Sequence, residues 1–139
     1  MSPLALTWAE VDQSVRSFVS LYREAPLTMR AEGVYGEARG GLIPAVMLSH
    51  YLQIPLLKER PSSGVYLWVD DIVDSGETVE IAIATEKAIA LRWALCLKAR
   101  SRVAVNYGIF VNDDRWVIFP WEDPEQANQD FLNYHAKHL

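Results

Sequence analysis

The sequence predicts an α/β fold in a single domain, a mostly parallel, twisted sheet flanked by helices. Three observations predict it. Val65, Tyr66, Leu67, Trp68 and Val69 form an unbroken apolar run, rich in aromatic and β-branched side chains, which is how a strand covered on both faces of a parallel sheet reads. The run gives way at Asp70 and Asp71 to a small, hydroxyl-bearing turn and then to helix-favouring residues, and an earlier stretch repeats the order of strand, glycine-rich loop and helix. The length of 139 residues suffices for one substantial core and not for two.

Taken in order, the chain opens with Thr7-Trp8-Ala9-Glu10, which has the form of a capping box, with Leu6 placed to meet Val11 as a hydrophobic staple. Val11, Val15, Phe18, Val19 and Tyr22 keep helical spacing, and Pro26 sets the end of this scaffold helix near Ala25. A short strand over 32–35 leads through a loop over 36–41 into a helix over 42–52, with Pro44 tolerated in its first turn. Residues 53–57 read as a strand and 58–64 as a polar turn in which Lys58 and Arg60 are solvated. The central strand over 65–69 then stops at the aspartates, a helix spans 76–88, and a buried strand over 91–97 ends at Lys98. Further strands are expected over 104–111 and 116–119, separated by a turn over 112–115. Asp123-Pro124-Glu125-Gln126 is a helix start, with an N-cap and a proline in the first helical position, and that helix should run to about residue 137.

Composition narrows the classes. Half the residues are hydrophobic and 22% are charged, so the chain is globular rather than disordered. The net charge of −5 gives no basic footprint for nucleic acid or an anionic membrane, so any anion site must be local. The single Cys96 forbids an internal disulfide, no signal segment follows Met1-Ser2-Pro3, and charges break the apolar stretch over 79–99, so a cytoplasmic protein is expected. His50, His135 and His138 lack the spacing of a zinc site. Five tryptophans in a half-apolar chain favour a homo-oligomer, most simply a dimer.

The chemistry concentrates in two loops. Asp74-Ser75-Gly76-Glu77-Thr78 places two hydroxyls and free backbone N–H groups at a helix N-terminus, which is an anion site suited to phosphate. Gly36-Glu37-Ala38-Arg39-Gly40-Gly41 lets backbone N–H groups approach an anion and adds the donor fork of Arg39. Neither loop is a Walker or dinucleotide-binding loop. On residue chemistry alone, the first also fits an ordinary helix cap beside solvated aspartates, and the second a flexible turn with a surface arginine.

The stretch from Val65 to Thr78, apolar strand, acidic pair, two apolar residues and Asp-Ser-Gly-x-Thr, resembles the 5-phosphoribosyl 1-diphosphate (PRPP) motif of the type I phosphoribosyltransferases. Arg39-Gly40-Gly41-Leu42-Ile43-Pro44-Ala45 resembles the pyrophosphate loop of their bacterial and archaeal purine branch, and Asp114 to Glu122, with Trp116 and Pro120-Trp121-Glu122, resembles the end of the xanthine-guanine branch. The resemblance implies a type I phosphoribosyltransferase-like fold and transfer of the phosphoribosyl group from PRPP to a six-oxo purine with release of pyrophosphate. It assigns the 5-phosphate to Asp74, Ser75, Gly76, Glu77 and Thr78, with Asp74 also the catalytic proton acceptor. Asp70 and Asp71 take the ribose hydroxyls and Mg²⁺, and Ala38, Arg39 and Gly40 take pyrophosphate, with a cis peptide between Ala38 and Arg39. Lys98 donates to the six-oxo group, Trp116 stacks on the base, the Val117 backbone reads its edge, and Trp121 is structural.

Two features depart from the family pattern. The long mobile loop that covers the site is reduced to 58–64, and Glu77 brings a carboxylate beside a phosphate, so its side chain must turn outward. Two alternatives stay open on the sequence: a non-catalytic PRPP- or nucleotide-binding regulator, and a phosphoribosyltransferase for another base.

Overall fold

The computed structural model describes residues 2–137. Its elements are β1 (Leu4–Ala5), α1 (Trp8–Glu24), a 3-10 turn (Leu27–Met29), β2 (Val34–Gly36), α2 (Leu42–Leu52), β3 (Leu56–Leu57), β4 (Val65–Val73), α3 (Glu77–Thr85), β5 (Ile89–Lys98), β6 (Asn106–Val111), β7 (Val117–Ile118) and α4 (Pro124–Lys137). The main sheet has the order β3-β2-β4-β5-β6, and every pairing within it is parallel.

β4 is the axis of the sheet because it is covered on both faces. Leu67 and Val69 join Val11, Val15, Leu48, Trp93 and Leu95 in the core under α1 and α2, while Tyr66 and Trp68 join Val79, Ala94 and Leu97 on the α3 side. Alternate side chains of one strand serve two cores, which explains why its sequence shows no alternation of polar and apolar residues. The polar atoms of its two buried rings are met, since Trp68 Nε1 donates to Glu37 Oε2 at 3.0 Å and the Tyr66 hydroxyl donates to Glu86. Cys96 lies fully buried in the core on the α1 side.

Several expected boundaries move. β4 does not stop at the aspartates but runs to Val73, because Asp70, Ile72 and Val73 stay in register with Ala94, Cys96 and Leu97 of β5. α3 ends at Thr85 rather than 88: Glu86 turns to extended backbone, accepts from the Tyr66 hydroxyl and pairs with Arg92, and Ala88 enters the core. That exit lets Ile89 pair with Val65, two residues before the expected strand start. β3 shrinks to Leu56–Leu57 because Gln53, at φ 54°, caps α2 in the left-handed region. β6 begins only at Asn106, since residues 99–105 form the return that lets β6 lie parallel to β5. The strand expected over 116–119 is the short β7, and it pairs not with the main sheet but with β1, an element the sequence reading lacked.

The opening helix begins as expected. Glu10 N–H donates to Thr7 Oγ1 at 3.1 Å and Thr7 N–H to Glu10 Oε1 at 3.0 Å, the two reciprocal bonds of a capping box. Replacing Thr7 by Ala removes the cap acceptor, and the expected loss is about 1 kcal/mol. A urea titration checks this: the midpoint should fall with the slope unchanged, as for a local loss that leaves the unfolded state alone.

Candidate active site

In an open parallel sheet, ligands sit outside the carboxyl ends of the strands, where successive connections leave toward opposite faces. Here that point lies between β2 and β4. The connection after β2 enters α2 on the α1 side, and the connection after β4 enters α3 on the other. The two loops singled out by their chemistry flank this crevice.

The first loop, 37–41, folds on itself. Glu37 N–H donates to Val69 O at 2.8 Å, Gly41 N–H to Glu37 O at 2.9 Å and Leu42 N–H to Arg39 O at 3.1 Å. Those bonds use none of the N–H groups of residues 38–40, and the peptide bond between Ala38 and Arg39 is cis. Gly40 lies against the Asp71 carboxylate so closely that any Cβ would fall inside its van der Waals envelope. Glycine is therefore needed there for approach, not for flexibility. Arg39 is exposed and lines, with Gly40, Asp71 and Glu122, a cavity of about 620 Å³.

The second loop is held from behind. Gly76, at φ 89°, starts α3, and a Cβ there would meet Val103 Cγ2 at 2.9 Å and Ser101 Oγ at 3.1 Å. Arg102 N–H donates to Ser75 O at 2.9 Å, so the return segment before β6 ties this loop down. Asp70, Asp74, Ser75, Gly76, Glu77 and Thr78 share a hollow of about 160 Å³ at the helix start. Glu77 N–H donates to Ser75 Oγ at 3.3 Å, and the Glu77 residue is exposed.

Between the two hollows lies a third, of about 280 Å³, walled by Asp71, Asp74, Lys98, Trp116, Val117, Glu122 and Tyr134. Asp71 and Glu122 also line the Arg39 cavity, and Asp74 also lines the Ser75 hollow. The three hollows thus form one row with shared carboxylate walls. Lys98 is only 5% exposed at the end of β5. Trp116 O and Ile118 O accept from Leu4 N–H at 2.7 Å and Leu6 N–H at 2.9 Å, so the alternation of a strand turns the Val117 N–H and C=O away from β1. Trp116 Nε1 is buried with no hydrogen-bond partner among the described residues. Trp121 stacks on Phe119, centroids 4.9 Å apart and planes 7° apart, and also borders the Arg39 cavity. A larger cavity, about 770 Å³, lies elsewhere, between α1 and the β5–β6 edge.

The acidic pair is electrostatically loaded. Burial, and then the neighbouring Asp71, push the Asp70 carboxyl well above the usual carboxylate range. Asp71 N–H donates to Asp70 Oδ1 at 2.8 Å, which offsets only part of that. Two adjacent carboxylates in such a place suit a hard cation that takes few protein ligands. Among the described residues no group of three or more Cys, His, Asp or Glu side chains is gathered to hold a metal by itself. His50 and His135 are exposed on different helices, and His138 lies outside the described residues.

Three neighbours escaped the sequence reading. Arg100 grips Asp74 with two bonds, Nε to Oδ1 at 2.6 Å and Nη2 to Oδ2 at 2.5 Å. Tyr134 of α4 stands 4.9 Å from the Trp116 ring, tilted by 43°. Glu122 accepts from Phe119 N–H at 2.7 Å while bordering two hollows. Arg100 could have been suspected, since a turn after a strand ending in Lys98 opens on the same crevice. Tyr134 carried no local signal. Lys58 and Arg60 are exposed, and Arg60 lies with Thr85 and Lys87 at the amino end of β4, away from the crevice.

Such an arrangement, two glycine-bearing loops around the acidic residues of the central strand of a parallel sheet, defines an α/β protein with its crevice at the point where the connections diverge. No family model matches the chain. A solved purine phosphoribosyltransferase from Pyrococcus horikoshii is 30% identical, with a TM-score of 0.72 over 88% of this chain and 95% of that one. Xanthine-guanine phosphoribosyltransferases from Cereibacter sphaeroides and Nitratidesulfovibrio vulgaris are each 27% identical, over 84% and 92% of this chain and 85% and 90% of theirs. The chain belongs to the type I phosphoribosyltransferase family. It is an enzyme of that class.

The loaded acidic pair gives a test of stability. A carboxyl whose folded pKa is raised contributes stability that is complete below the ordinary aspartate range, about pH 4, and lost as pH rises through the raised value. Asp70→Asn keeps the Oδ1 acceptor and removes that loss. The melting temperature of the metal-free protein should therefore rise above wild type at pH 7, with the two proteins converging toward pH 4, as differential scanning fluorimetry across pH would report.

Proposed function

We propose that the enzyme transfers the 5-phosphoribosyl group from PRPP to a six-oxo purine, guanine, xanthine or hypoxanthine, and releases pyrophosphate. The observation that carries this reading is the row of three hollows with shared carboxylate walls, in the order phosphate loop, base cavity, pyrophosphate loop. Its similarity to purine-specific relatives supports the base class.

In the reaction the bond from ribose carbon one to pyrophosphate breaks, and a bond from that carbon to a ring nitrogen of the base forms. Positive charge grows on the sugar, negative charge on the leaving group, and the attacking nitrogen gives up its proton. Each need has a group in reach. The N–H groups at the start of α3, with Ser75 and Thr78, bind the 5-phosphate. Asp70 and Asp71 hold the ribose hydroxyls and would hold Mg²⁺, which would supply charge neutralisation for a departing pyrophosphate. Arg39 with the backbone of residues 38–40 takes pyrophosphate, and its charge offsets what the leaving group gains.

Asp74 is the carboxylate common to the phosphate hollow and the base cavity, so it is the group placed to accept the nitrogen's proton as the base attacks. Lys98, buried at the cavity floor, has only donors to offer, which suits a carbonyl oxygen at position six and opposes an amino group there. The Val117 backbone faces the edge of a base that stacks on Trp116. Exposed Tyr107 and Phe110 on β6, whose outer edge ends the sheet, support self-association as a dimer.

Pyrophosphate release from PRPP and Mg²⁺, measured separately with guanine, xanthine, hypoxanthine, adenine, uracil and orotate, tests the proposal. Turnover with at least one six-oxo purine is expected. Turnover confined to adenine or a pyrimidine would overturn the assignment of Lys98 and Trp116. Asp74→Asn should lower kcat by about a hundredfold or more, within the usual range for a lost acid-base group, and leave PRPP binding by calorimetry nearly intact.

A further inference from the structure

We propose that Arg100 is a positioning residue for transfer, one that acts through Asp74 and touches neither the sugar nor the base. The inference rests on the reading of Asp74 as proton acceptor. Its basis is geometric. The guanidinium engages both carboxylate oxygens of Asp74, at 2.6 Å and 2.5 Å, a bidentate fork that fixes the plane as well as the position of the carboxylate. Asp74 nevertheless lines both the phosphate hollow and the base cavity, and Arg100 lines neither. The grip therefore comes from behind, and a base can reach Asp74 with Arg100 in place.

Arg100 sits in the turn after β5, two residues beyond Lys98, and Asp74 is first among the groups that favour its charge. One arginine thus anchors the carboxylate that receives a proton to the end of the strand that carries Lys98, itself a wall of the base cavity. A carboxylate at the mouth of a loop has free rotation about its own side-chain bonds; the fork removes it before substrate arrives, which is where orientation is worth most.

The pair is partly exposed, with side-chain accessibilities of 47% and 36%, so replacement of Arg100 should leave the fold intact. Initial rates with PRPP and the best base are measured for wild type, Arg100→Gln, Arg100→Lys, Asp74→Asn and the double variant. Arg100→Gln should lower kcat by about tenfold or more with KM for PRPP within about twofold, the signature of lost alignment rather than lost binding. Arg100→Lys, which keeps the charge and loses the fork, should fall between. In the Asp74→Asn background the Arg100→Gln change should cost nothing further, because a residue that works only through Asp74 has nothing left to orient. An unchanged kcat in Arg100→Gln, a rate above wild type, or a full additional loss in the double variant would each overturn the proposal. Failure of the underlying reading looks different: wild type itself would show no turnover with any base. If wild type uses a base outside the six-oxo purines, the same comparison is made with that base.

Discussion

Two carboxylates side by side at the end of a strand with apolar cover on both faces are the constraint around which this molecule is arranged. β4 can carry them because its position is fixed by strands on either side, β2 and β5, and by two cores. Its polar end cannot slip without exposing Leu67, Val69, Tyr66 and Trp68, and a one-residue shift would exchange their faces. Three basic residues stand around the crevice: Arg39 in the loop before α2, Lys98 at the end of β5 and, in the turn beyond it, Arg100, which pairs with Asp74. Glycine at position 40 completes the arrangement, since only the absence of a side chain lets the first loop rest on the Asp71 carboxylate.

The cover over the crevice has an unusual source. Residues 58–64 are too few to reach it, and Arg60 and Ser62 lie at the opposite end of β4. What stands over the crevice is α4, whose Gln126 and Asp130 border the Arg39 cavity and whose Tyr134 borders the base cavity. Among its described residues α4 buries only Ala127. The helix is therefore attached by a narrow seam and presents most of its surface to solvent, the profile of an element with low local stability.

The parts of the fold that the sequence discloses are those with local causes. The capping box of α1, the span of α2 and the start of α4 follow from residues within a few positions of each other, and all three stand where their signals place them. The buried strand is legible because a two-faced core leaves a continuous apolar run. Boundaries set by distant partners are not legible: α3 ends early because Tyr66 and Arg92 draw out Glu86, and β7 leaves the main sheet because Leu4 and Leu6 bond to it. The same division runs through the site. Asp70 to Thr78 form one local motif, whereas Arg100 and Tyr134 meet Asp74 and Trp116 only through the fold, 26 residues and a helix away in the first case.

The chain's lone thiol acquires a use from where it lies. Cys96 is fully enclosed on β5, flanked by β4, which carries Asp71, and by β6, and burial pushes its thiol up to about 12. A thiol so placed is closed to alkylating reagents as long as the strands on either side stay paired, because modification needs both an open path and the thiolate. Labelling at Cys96 therefore clocks the opening of the sheet at its centre, and any ligand that bridges the loops after β2 and β4 will register as a slowing of that clock without an added probe.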